Sequence, residues 1–566
     1  MKLITKAELL FHIIRWRLTW NRHDSNYRPA DLPNPKFISA MNAVKMIQDG
    51  DCVISSGMAA NARCSIFFWA IKELFLETGH PRDLTWITVG AQGSRGRVPG
   101  TMEEIGIDGI IKRWIGGHLE TFKAQLRLAQ EGKLEIHRLP QGIETFLLEA
   151  QARGEDCIIT DTGAGTTLDP RVDRGSPVVK GVGESFITVE GDRLRYCFPR
   201  INVALFVASY ADEEGNIYFK NMSTFTEAYE STLAAKANQG KVLVAVADII
   251  AKDEKNIRVA ADKVDAIVVN PGNEQTGSIP QRKYWEMFTE GAKVDIQDAV
   301  ERLKFANNVL KITPVRTEVD NALARMAADL FTRIARPGAY VNIGVGLPEE
   351  VCRLIYEGGL LKEVTFVVET GALGGLPAMG IFFGAAINPK QMLSSARIFH
   401  LCYEKLDVTV LGLLQADSEG NINVSKRGQG PINYVGGGGL PDLAAGAKTM
   451  IFVGSWMANA KMALENGQLK IIQTGICKFV DQVDEITLSG RQALKLGKNV
   501  FYCTNVGIFH LTRRGMELME VMPGVDIQKD ILQSCPMKIV LPESGTVPQV
   551  PRKIVTGEGF KLKWQG

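Results

Sequence analysis

The stretch VTFVVETGALGG (residues 364–375) leads from five β-prone residues directly into Glu369 and a glycine-rich turn. A short run that is apolar at almost every position is typical of a strand in a parallel sheet, both faces of which are covered. Glu369 is then at the carboxyl end of that strand, where open α/β sheets bind ligands, and the glycines let a ligand approach the backbone. We predict that Glu369 is the reactive centre. The alternative is a structural carboxylate that caps a helix or pairs with a basic residue.

Alternating apolar strands and amphipathic helices extend from this stretch in both directions. Residues 43–62, AVKMIQDGDCVISSGMAANA, have the pattern of a helix, a turn, a strand and a small-residue loop. Residues 84–96, LTWITVGAQGSRG, have that of a strand and a glycine turn. This alternation is the signature of a parallel sheet with crossover helices, so the sequence predicts an α/β protein.

The second half of the chain repeats features of the first half in the same order. DEEGNI at 212–217 returns as DSEGNI at 417–422. In the same way DGDCVISSGMA matches RPGAYVNIGVGLP, and LTWITVGAQG matches VTFVVETGALG. Three matches in register indicate two diverged copies of one domain.

Only one of the two copies carries the carboxylate, because aligning Thr85 with Thr365 places Val89 opposite Glu369. We expect the second copy to react and the first to complete its pocket. The predicted fold is α/β, with two tandem, related open-sheet domains joined by a linker. The predicted boundaries are an N-terminal arm at 1–35, a first domain at 36–270, a linker at 271–316, a second domain with the carboxylate at 317–545 and a C-terminal tail at 546–566.

Composition favours a globular protein that acts on small molecules. The 566 residues are 45% hydrophobic and 23% charged, and the formal net charge is +2. The sequence has no long run of basic residues, so we expect no nucleic-acid partner. No apolar run reaches the ~18 residues that a membrane-spanning helix needs. The seven histidines lack metal-ligand spacing and no serine lies in a GxSxG motif. We therefore expect no metal, and neither a zinc nor a serine hydrolase.

The cysteines are scattered, odd in number and never spaced as CxxC. A disulfide framework and a zinc site are therefore not indicated, and we expect a reducing, cytoplasmic location. In apolar runs such as VFYCTNVGIF, cysteine behaves as a small hydrophobic residue. The nine cysteines are Cys52, Cys64, Cys157, Cys197, Cys352, Cys402, Cys477, Cys503 and Cys535.

The N-terminal arm, MKLITKAELLFHIIRWRLTW, has apolar residues at helical spacing with Arg15 and Arg17 among them. The uncharged run from Leu9 to Ile14 is short, is interrupted by His12, and is followed by no small-residue cleavage site, so we expect no signal peptide. Two interpretations are open: packing on a neighbouring subunit or lying on a membrane surface. Packing is the favoured one, and it leads us to expect more than a monomer.

Three further segments are candidate ligand sites. Gly344–Pro348 join a strand to a helix, where exposed amides suit a phosphate or an amide-bearing cofactor; a structural tight turn is the alternative. Gly436–Gly439, in NYVGGGGLPDL, would let amides point at developing negative charge; a mobile surface loop is the alternative. Asn388 and Lys390 follow an apolar run, and Lys390 is either a phosphate ligand or a solvated surface lysine.

The motifs together resemble family I coenzyme A transferases, in particular the fused single-chain members that act on acetate, propionate or 3-oxoacids. The second half resembles them through GVGLP, VVETGALGG, FFGAAINPKQML, DSEGNINVS and VGGGGLPDL, and the first half through SSGMAANA, TVGAQGS, RLPQG and TDTGAGTTLDPR. The resemblance covers roughly residues 36 to 540. The sequence departs from the family in having Glu-Thr-Gly where Glu-Ser-Gly or Glu-Asn-Gly is usual, in an opening loop with fewer glycines, and in residues 1–35.

The resemblance also implies roles for particular residues. Glu369 matches the catalytic glutamate. The oxyanion and acyl site is implied at Gln92, Gly438, Gly439 and Leu440, and the coenzyme A groove at Gly344, Val345, Gly346, Leu347, Gly371, Asn388 and Lys390.

The implied activity is transfer of coenzyme A between a short-chain or 3-oxoacyl-CoA and a carboxylate such as acetate, by a ping-pong mechanism through a glutamyl-CoA thioester. Coenzyme A is then a substrate, no cofactor is tightly bound, and a homodimer or homotetramer is expected. Two alternatives are open: an acyl-CoA hydrolase that uses Glu369 on water, and a catalytically silent or ligand-sensing relative of similar fold.

Overall fold

The structure, a computed structural model, describes residues 1–59, 61–93, 98–272, 285–312 and 314–565. Helix α1 (Leu3–Thr19) precedes the first sheet. The helices of the first domain are α2 (Ala40–Val44), α3 (Ser65–Thr78), α4 (Lys123–Gln130), α5 (Gln141–Ala152) and α6 (Ala228–Ala237). Its strands are β1 (Cys52–Ser55), β2 (Leu84–Thr88), β3 (Ile111–Gly116), β4 (Glu135–His137), β5 (Cys157–Thr160), β6 (Ile187–Glu190), β7 (Arg193–Cys197), β8 (Val203–Ala211), β9 (Ile217–Tyr218), β10 (Lys241–Ile249) and β11 (Ala266–Val269).

An open parallel sheet forms the first domain, with strand order β11-β10-β8-β1-β2-β3-β4 and β9 antiparallel to β8. Strand β8, VALFVASYA, is buried along almost its whole length. This is the pattern of a central parallel strand with both faces covered. The short strands β5, β7 and β6 form a separate antiparallel sheet.

The remaining elements belong to the predicted linker and the second half. The helices are α7 (Ile296–Leu310), α8 (Glu318–Ile334), α9 (Leu347–Glu357), α10 (Ser395–Lys405), α11 (Leu440–Gly446), α12 (Gly490–Lys495) and α13 (Arg552–Thr556). The strands are β12 (Ala339–Ile343), β13 (Val364–Phe366), β14 (Ala372–Leu373), β15 (Leu376–Pro377), β16 (Ala386–Ile387), β17 (Gln391–Met392), β18 (Val408–Leu411), β19 (Gln415–Ala416), β20 (Ile422–Asn423), β21 (Thr449–Val453), β22 (Met457–Ala458), β23 (Lys461–Glu465), β24 (Gln468–Gln473), β25 (Ile476–Cys477), β26 (Asn499–Thr504), β27 (Gly507–Thr512), β28 (Gly515–Val521) and β29 (Ile539–Val540).

The second sheet has the order β13-β12-β18-β21-β26-β27-β28-β29. It is parallel from β13 to β26, and β27 and β28 then add as an antiparallel pair of strands. Strand β13 lies at the edge of this sheet. That edge position leaves space beside β13 for residues 372–393, which form β14 to β17.

Five parallel strands recur in both halves: β11-β10-β8-β1-β2 in the first and β26-β21-β18-β12-β13 in the second. The register recurs as well, since Thr85 lies opposite Cys52 and Thr365 lies opposite Tyr340. The prediction of two related open-sheet α/β domains is therefore confirmed.

The repeated DxEGNI motif forms the same turn in each half. The Asp212 carboxylate accepts hydrogen bonds from the Asn216 amide (3.0 Å) and side chain (2.9 Å). The Asp417 carboxylate accepts the equivalent bonds from Asn421, both at 3.1 Å. The aspartate is retained because its two oxygens satisfy donors that the tight turn exposes.

Helix α5 of the first domain fills the interface between the two halves. It packs on α6 within its own domain and on α10 and α11 of the second. Residues 546–565 return to the second domain, where Arg325 on α8 donates to the Val555 carbonyl (2.7 Å) and the Trp564 indole donates to Glu363 (2.9 Å). The predicted boundary at 545 thus precedes a segment that packs on the second domain.

One cysteine pair departs from the expectation of reduced thiols. Cys157 on β5 and Cys197 on β7 lie directly opposite each other in the antiparallel sheet and form a disulfide, with Cα atoms 4.4 Å apart. Their 40-residue separation in the sequence concealed this closeness. The expectation that no disulfide forms was wrong for this pair.

Candidate active site

Glu369 lies in a tight turn that follows β13. The Val368 amide donates to the Ala372 carbonyl and the Gly371 amide donates to the Val368 carbonyl, both at 3.0 Å. Gly371 has φ +130°, which L residues rarely adopt, and a Cβ there would lie 2.2 Å from the Leu393 carbonyl oxygen. The turn therefore requires glycine two residues after Glu369.

The first domain holds this turn from the opposite side. The amides of Phe225 and Thr226 both donate to the Thr370 carbonyl, at 3.2 and 2.9 Å. The Thr370 hydroxyl donates to the Gly384 carbonyl. Glu369 thus lies where the two domains meet, which fits the expectation that the first copy completes the pocket.

Glu369 is partly exposed at the bottom of this junction. Burial raises the pKa of the Glu369 carboxyl, and a hydrogen bond from Asn342 partly offsets that rise. Asn342 is buried on β12, where its side chain also donates to the Val367 carbonyl and accepts from the Thr409 hydroxyl, both at 3.1 Å. Within the described ranges no cation lowers the pKa of Glu369, and the turn leads into β14 rather than a helix. Among the described residues, Glu369 therefore neither forms a structural ion pair nor caps a helix.

Residues 56–59, 61 and 62 of the first domain form the facing wall. The Asn61 side chain donates to the Phe383 carbonyl at 3.1 Å. A Cβ at Gly384 would lie 2.7 Å from the Ala59 methyl group. The two domains are therefore in close contact around Glu369.

Gln92 lies behind this wall and is fully buried. Its side-chain nitrogen donates to the Ser55 carbonyl, whereas its Oε1 has no hydrogen-bond partner in the described part of the chain. A Cβ at Gly57 would lie 3.1 Å from the Gln92 carboxamide carbon. Gln92 therefore supports the wall and is not on the cleft surface.

The glycine loop Gly436–Gly439 packs directly on the first domain. The Gly438 amide donates to the Gly117 carbonyl at 2.9 Å, and the Gly438 carbonyl accepts from the Gln141 amide at 3.3 Å. Gly436 has φ +85°, and a Cβ there would lie 2.5 Å from the Gly117 oxygen. The loop is therefore fixed at the interface and is not a mobile surface loop.

The amides in this loop differ in their freedom to bind an oxyanion. The domain contact uses the Gly438 amide, and the Leu440 amide, at the start of α11, donates to the Gly437 carbonyl at 3.1 Å. Among the residues described here, the Gly437 and Gly439 amides make no hydrogen bond. Of the three loop residues that the resemblance implies for the oxyanion site, Gly439 is therefore the one whose backbone amide has no hydrogen-bond partner among the described residues.

Helix α10 connects the Glu369 turn with the glycine loop. Just before it, the Leu393 amide donates to the Gly371 carbonyl at 2.8 Å. Further along, the Phe399 ring lies 3.3 Å from where a Cβ of Gly439 would be. Helix α10 and the residues just before it therefore contact both the Glu369 turn and the glycine loop.

Gly344–Leu347 join β12 to α9, as the sequence predicts. The Gly344 amide donates to the Val410 carbonyl at 2.8 Å, and Gly346 has φ +95°. Val345 is 40% exposed and its amide makes no hydrogen bond within the described ranges. The loop therefore offers a free backbone donor at a helix N-terminus, where an anion is favoured.

Glu349 fixes this loop from below. Burial raises the pKa of the Glu349 carboxyl to about 7, and the nearby amides of Gly380 and Gly346 partly offset that rise. Arg316 donates to the Gly346 carbonyl at 2.8 Å. Two side chains that the sequence reasoning missed thus set the orientation of the loop.

Asn388 and Lys390 lie in different surroundings. The Asn388 side chain donates to the Val294 carbonyl at 2.8 Å and accepts from the Val294 amide at 3.1 Å, so it is engaged with the linker. Lys390 is exposed, and a Cβ at Gly374 would lie 2.9 Å from its Cδ. Of the two, Lys390 is the one that presents a free polar group.

Further carboxyl groups are buried in the interface around α5. Asp442 accepts from the amides of Gly142 (2.8 Å) and Ile143 (3.1 Å) and so caps α5 from the other domain. Burial raises the pKa of Asp442 to about 7 and that of Glu227 to about 8. Burial also raises the pKa of Glu144 well above its usual value, and in the described structure neither of its oxygens has a hydrogen-bond partner.

Sequence reasoning missed several residues that shape the site. Asn342 had one available signal, a polar side chain within the apolar run YVNIGV. Asn61 and Thr226 gave none, because they reach the site from loops of the other domain. Among the described residues no group of His, Cys, Asp and Glu could hold a metal ion, and no helix there is long and apolar enough to cross a membrane.

The chain is 32% identical over 513 residues to caffeate CoA-transferase of Acetobacterium woodii, which covers 88% of this chain and 93% of that protein. It is 31% identical over 511 residues to acetate CoA-transferase YdiF of Escherichia coli K12, which covers 88% of this chain and 91% of that one. The chain belongs to the family I coenzyme A transferases. The protein is therefore an enzyme that transfers coenzyme A.

Comparison of structures agrees with this family. The transferase matches the apoenzyme crystal structure of the acyl-CoA transferase YdiF of E. coli O157:H7 with a TM-score of 0.81 and 27% identity, over 94% of this chain and 98% of that one. A second crystal structure of that enzyme is described as a thioester complex with CoA. No protein-family model matches the chain.

Proposed function

We propose that this transferase moves coenzyme A between a short-chain or 3-oxoacyl-CoA and a carboxylate such as acetate, through a glutamyl-CoA thioester at Glu369. The observation that carries the proposal is a desolvated carboxylate in a glycine-dependent turn between two domains. The thioester complex with CoA of the E. coli enzyme supports a covalent route.

The proposed reaction starts with attack of the Glu369 carboxylate on the thioester carbonyl carbon. The carbon–sulfur bond breaks, which leaves a mixed anhydride and coenzyme A thiolate. The thiolate attacks the glutamyl carbonyl, the anhydride bond breaks, and the acyl group leaves as a carboxylate. An acceptor carboxylate then reverses both steps. One negative charge is conserved throughout, so no proton donor or redox partner is needed, and one difficult exchange is divided into easier ones.

We assign oxyanion stabilisation to the free amide of Gly439, assisted by that of Gly437, because the Gly438 and Leu440 amides are already engaged. One such donor typically contributes ~3–4 kcal/mol to the transition state. Gln92 has the unpartnered Oε1 described above and would orient the wall that faces the acyl group.

We place the coenzyme A groove along Gly344–Leu347, with Val345 supplying a backbone donor and Lys390 a charge for phosphate. Gly371 shapes the turn, and Asn388 contributes by holding Val294 of the linker. Binding energy from the distant nucleotide end can then position the thioester at Glu369.

A mixed anhydride must be protected from water. The contacts of Phe225 and Thr226 with Thr370, and of Asn61 with Phe383, close the junction beside Glu369. This closure favours transfer over hydrolysis. For the assembly we propose a cytoplasmic homodimer or homotetramer.

The proposal is tested by intact mass measurements after incubation with a panel of short acyl-CoAs and no acceptor. We expect the wild-type protein to gain the mass of coenzyme A less one water at Glu369, and Glu369→Gln to gain none. Glu404→Gln is the matched control, because Glu404 is an exposed glutamate on α10. An adduct in Glu369→Gln, or one mapped elsewhere, refutes the role of Glu369.

A second arm adds acetate. A transferase makes acetyl-CoA from the donor thioester, whereas a hydrolase releases free coenzyme A at the same rate with or without acetate. Free coenzyme A without an adduct or acetyl-CoA would therefore replace transfer by hydrolysis as the activity of Glu369.

A further inference from the structure

Helix α1 has two apolar faces, and only one of them is covered. Leu9, Ile13 and Trp16 are buried, with α1 packed on α7 of the linker. The Met1 amino group forms an ion pair with Glu301 on α7. These contacts fix the orientation of α1 on the protein and determine which of its sides faces outward.

The outward side is a continuous apolar stripe. At 100° per residue its positions lie within an arc of about 120° along a helix ~25 Å long. Large apolar side chains on a soluble surface usually occur singly, so a stripe of this length marks an interaction surface. Its members are Leu3 (82% exposed), Ile4 (73%), Leu10 (41%), Phe11 (61%), Ile14 (49%) and Leu18 (73%).

Basic side chains border the stripe on both sides. At 100° per residue, Lys6 and Arg17 lie along one border and Arg15 lies along the other beside Glu8, and all four are exposed. Residues 1–22 contain four more basic than acidic side chains. Because the whole chain has a formal charge of +2, the remaining residues carry −2. The segment that carries the stripe therefore has a net positive charge, whereas the rest of the chain has a small net negative charge.

We propose that the outward face of α1 docks this enzyme on an anionic membrane surface. The apolar stripe would enter the boundary between headgroups and acyl chains, while Lys6, Arg15 and Arg17 reach back to the lipid phosphates. The helix lies in the plane of the membrane and does not cross it.

The charge distribution favours lipid over a second copy of this chain. Two α1 helices paired about a twofold axis would bring their basic borders together, and like charges at such short range are unfavourable. An anionic lipid surface instead attracts each basic residue and accepts the apolar stripe at the same time.

The test is co-sedimentation of the full-length enzyme with vesicles of phosphatidylcholine alone and with added phosphatidylserine. We expect binding to the anionic vesicles that weakens as salt rises. In Lys6→Gln/Arg15→Gln, affinity should fall by about fivefold for each charge removed. Arg17 is left unchanged because it stacks over Trp20 at 4.4 Å.

A second variant removes the stripe. Leu10→Glu/Ile14→Glu/Leu18→Glu changes exposed side chains only, and it should weaken vesicle binding by at least about tenfold per position. Coenzyme A transfer in solution should be unchanged, which also shows that the variant folds. The matched control is Ile472→Glu/Ile476→Glu/Leu496→Glu, three exposed apolar positions elsewhere (66%, 70% and 53%), which should bind like wild type.

Two results would overturn the proposal. One is absence of binding to anionic vesicles by the wild-type enzyme. The other is equal binding by the stripe variant and the control. If the first result comes with a smaller oligomer for the stripe variant in light scattering, the stripe belongs to an interface with a second copy of this chain.

Discussion

Replacing Gly371 by alanine should displace the Glu369 carboxylate while the glutamate side chain itself stays unchanged. The new Cβ would lie 2.2 Å from the Leu393 carbonyl oxygen, and φ at this position is +130°. Relief of the clash requires a shift of about 1 Å, and it strains the hydrogen bond from the Leu393 amide to the Gly371 carbonyl. Forced backbone conformations cost about 1–3 kcal/mol, and the weakened hydrogen bond adds about 1 kcal/mol.

This change should lower both stability and rate. A loss of about 3 kcal/mol corresponds to a Tm lower by roughly 6–12 °C in a domain of this size. A misplacement of about 1 Å at a reacting group costs about 100-fold in rate. The assays are thermal unfolding by calorimetry and the rate of coenzyme A adduct formation followed by intact mass.

The control is Gly359→Ala, which also has a positive φ, +77°, but nothing within 4 Å of the added Cβ. It should cost about 1 kcal/mol of stability with no effect on adduct formation. If Gly371→Ala forms the adduct at the wild-type rate, the geometry of the turn does not control Glu369. If its Tm equals that of Gly359→Ala, the clash with Leu393 does not exist in solution.

Three further predictions concern charge and covalent structure. Burial raises the pKa of Asp442 to about 7 from a usual 3.8, so the protonated carboxyl stabilises the fold in acid. The free energy of unfolding should therefore fall by up to about 4 kcal/mol as the pH rises from 4 through 7, and unfolding midpoints of the wild-type protein should show this. A stability difference between wild type and Asp442→Asn that does not change with pH contradicts the prediction. Asn342→Leu removes one of the two hydrogen bonds that lower the pKa of Glu369, the other coming from its own amide; the acid limb of adduct formation should therefore move to higher pH, and an unmoved limb counts against ionised Glu369. Cys157→Ser opens the 40-residue loop that the disulfide to Cys197 closes, and it should lower stability by about 4 kcal/mol. If a reducing agent leaves the unfolding of the wild-type protein unchanged, the disulfide does not contribute to its stability.

The sequence was sufficient to predict the architecture, because the architecture depends on the periodicity of apolar residues and on the order of the elements along the chain. Strand runs, glycine turns and the repeated DxEGNI motif specified two α/β copies, and the structure repeats even their strand register. The run at 364–368 predicted a longer strand than β13, which ends at Phe366. Val367 and Val368 instead pair with the returning segment at 372–373, a contact that a local pattern does not contain.

The direction of backbone amides was beyond prediction from the sequence. Four consecutive glycines indicate that amides are free to point at an oxyanion, but they do not determine which ones do. Contact with Gly117 of the first domain engages the Gly438 amide, whereas the Gly439 amide has no hydrogen-bond partner in the part of the chain that the structure describes. In the same way the pairing of Asn388 with Val294 depends on where the linker returns, which spacing cannot show.

The difference between the two copies has a physical cause in their sheets. In the first copy β2 is covered by β3, Val89 is fully buried, and its carbonyl accepts from the Gln141 side chain at 2.8 Å. A carboxylate there would be a charge without water or a counterion, which is strongly unfavourable. In the second copy β13 is an edge strand, so position 369 opens into the junction and a carboxylate remains accessible. The strands that each copy adds to the common five therefore decide which of them can keep an accessible carboxylate.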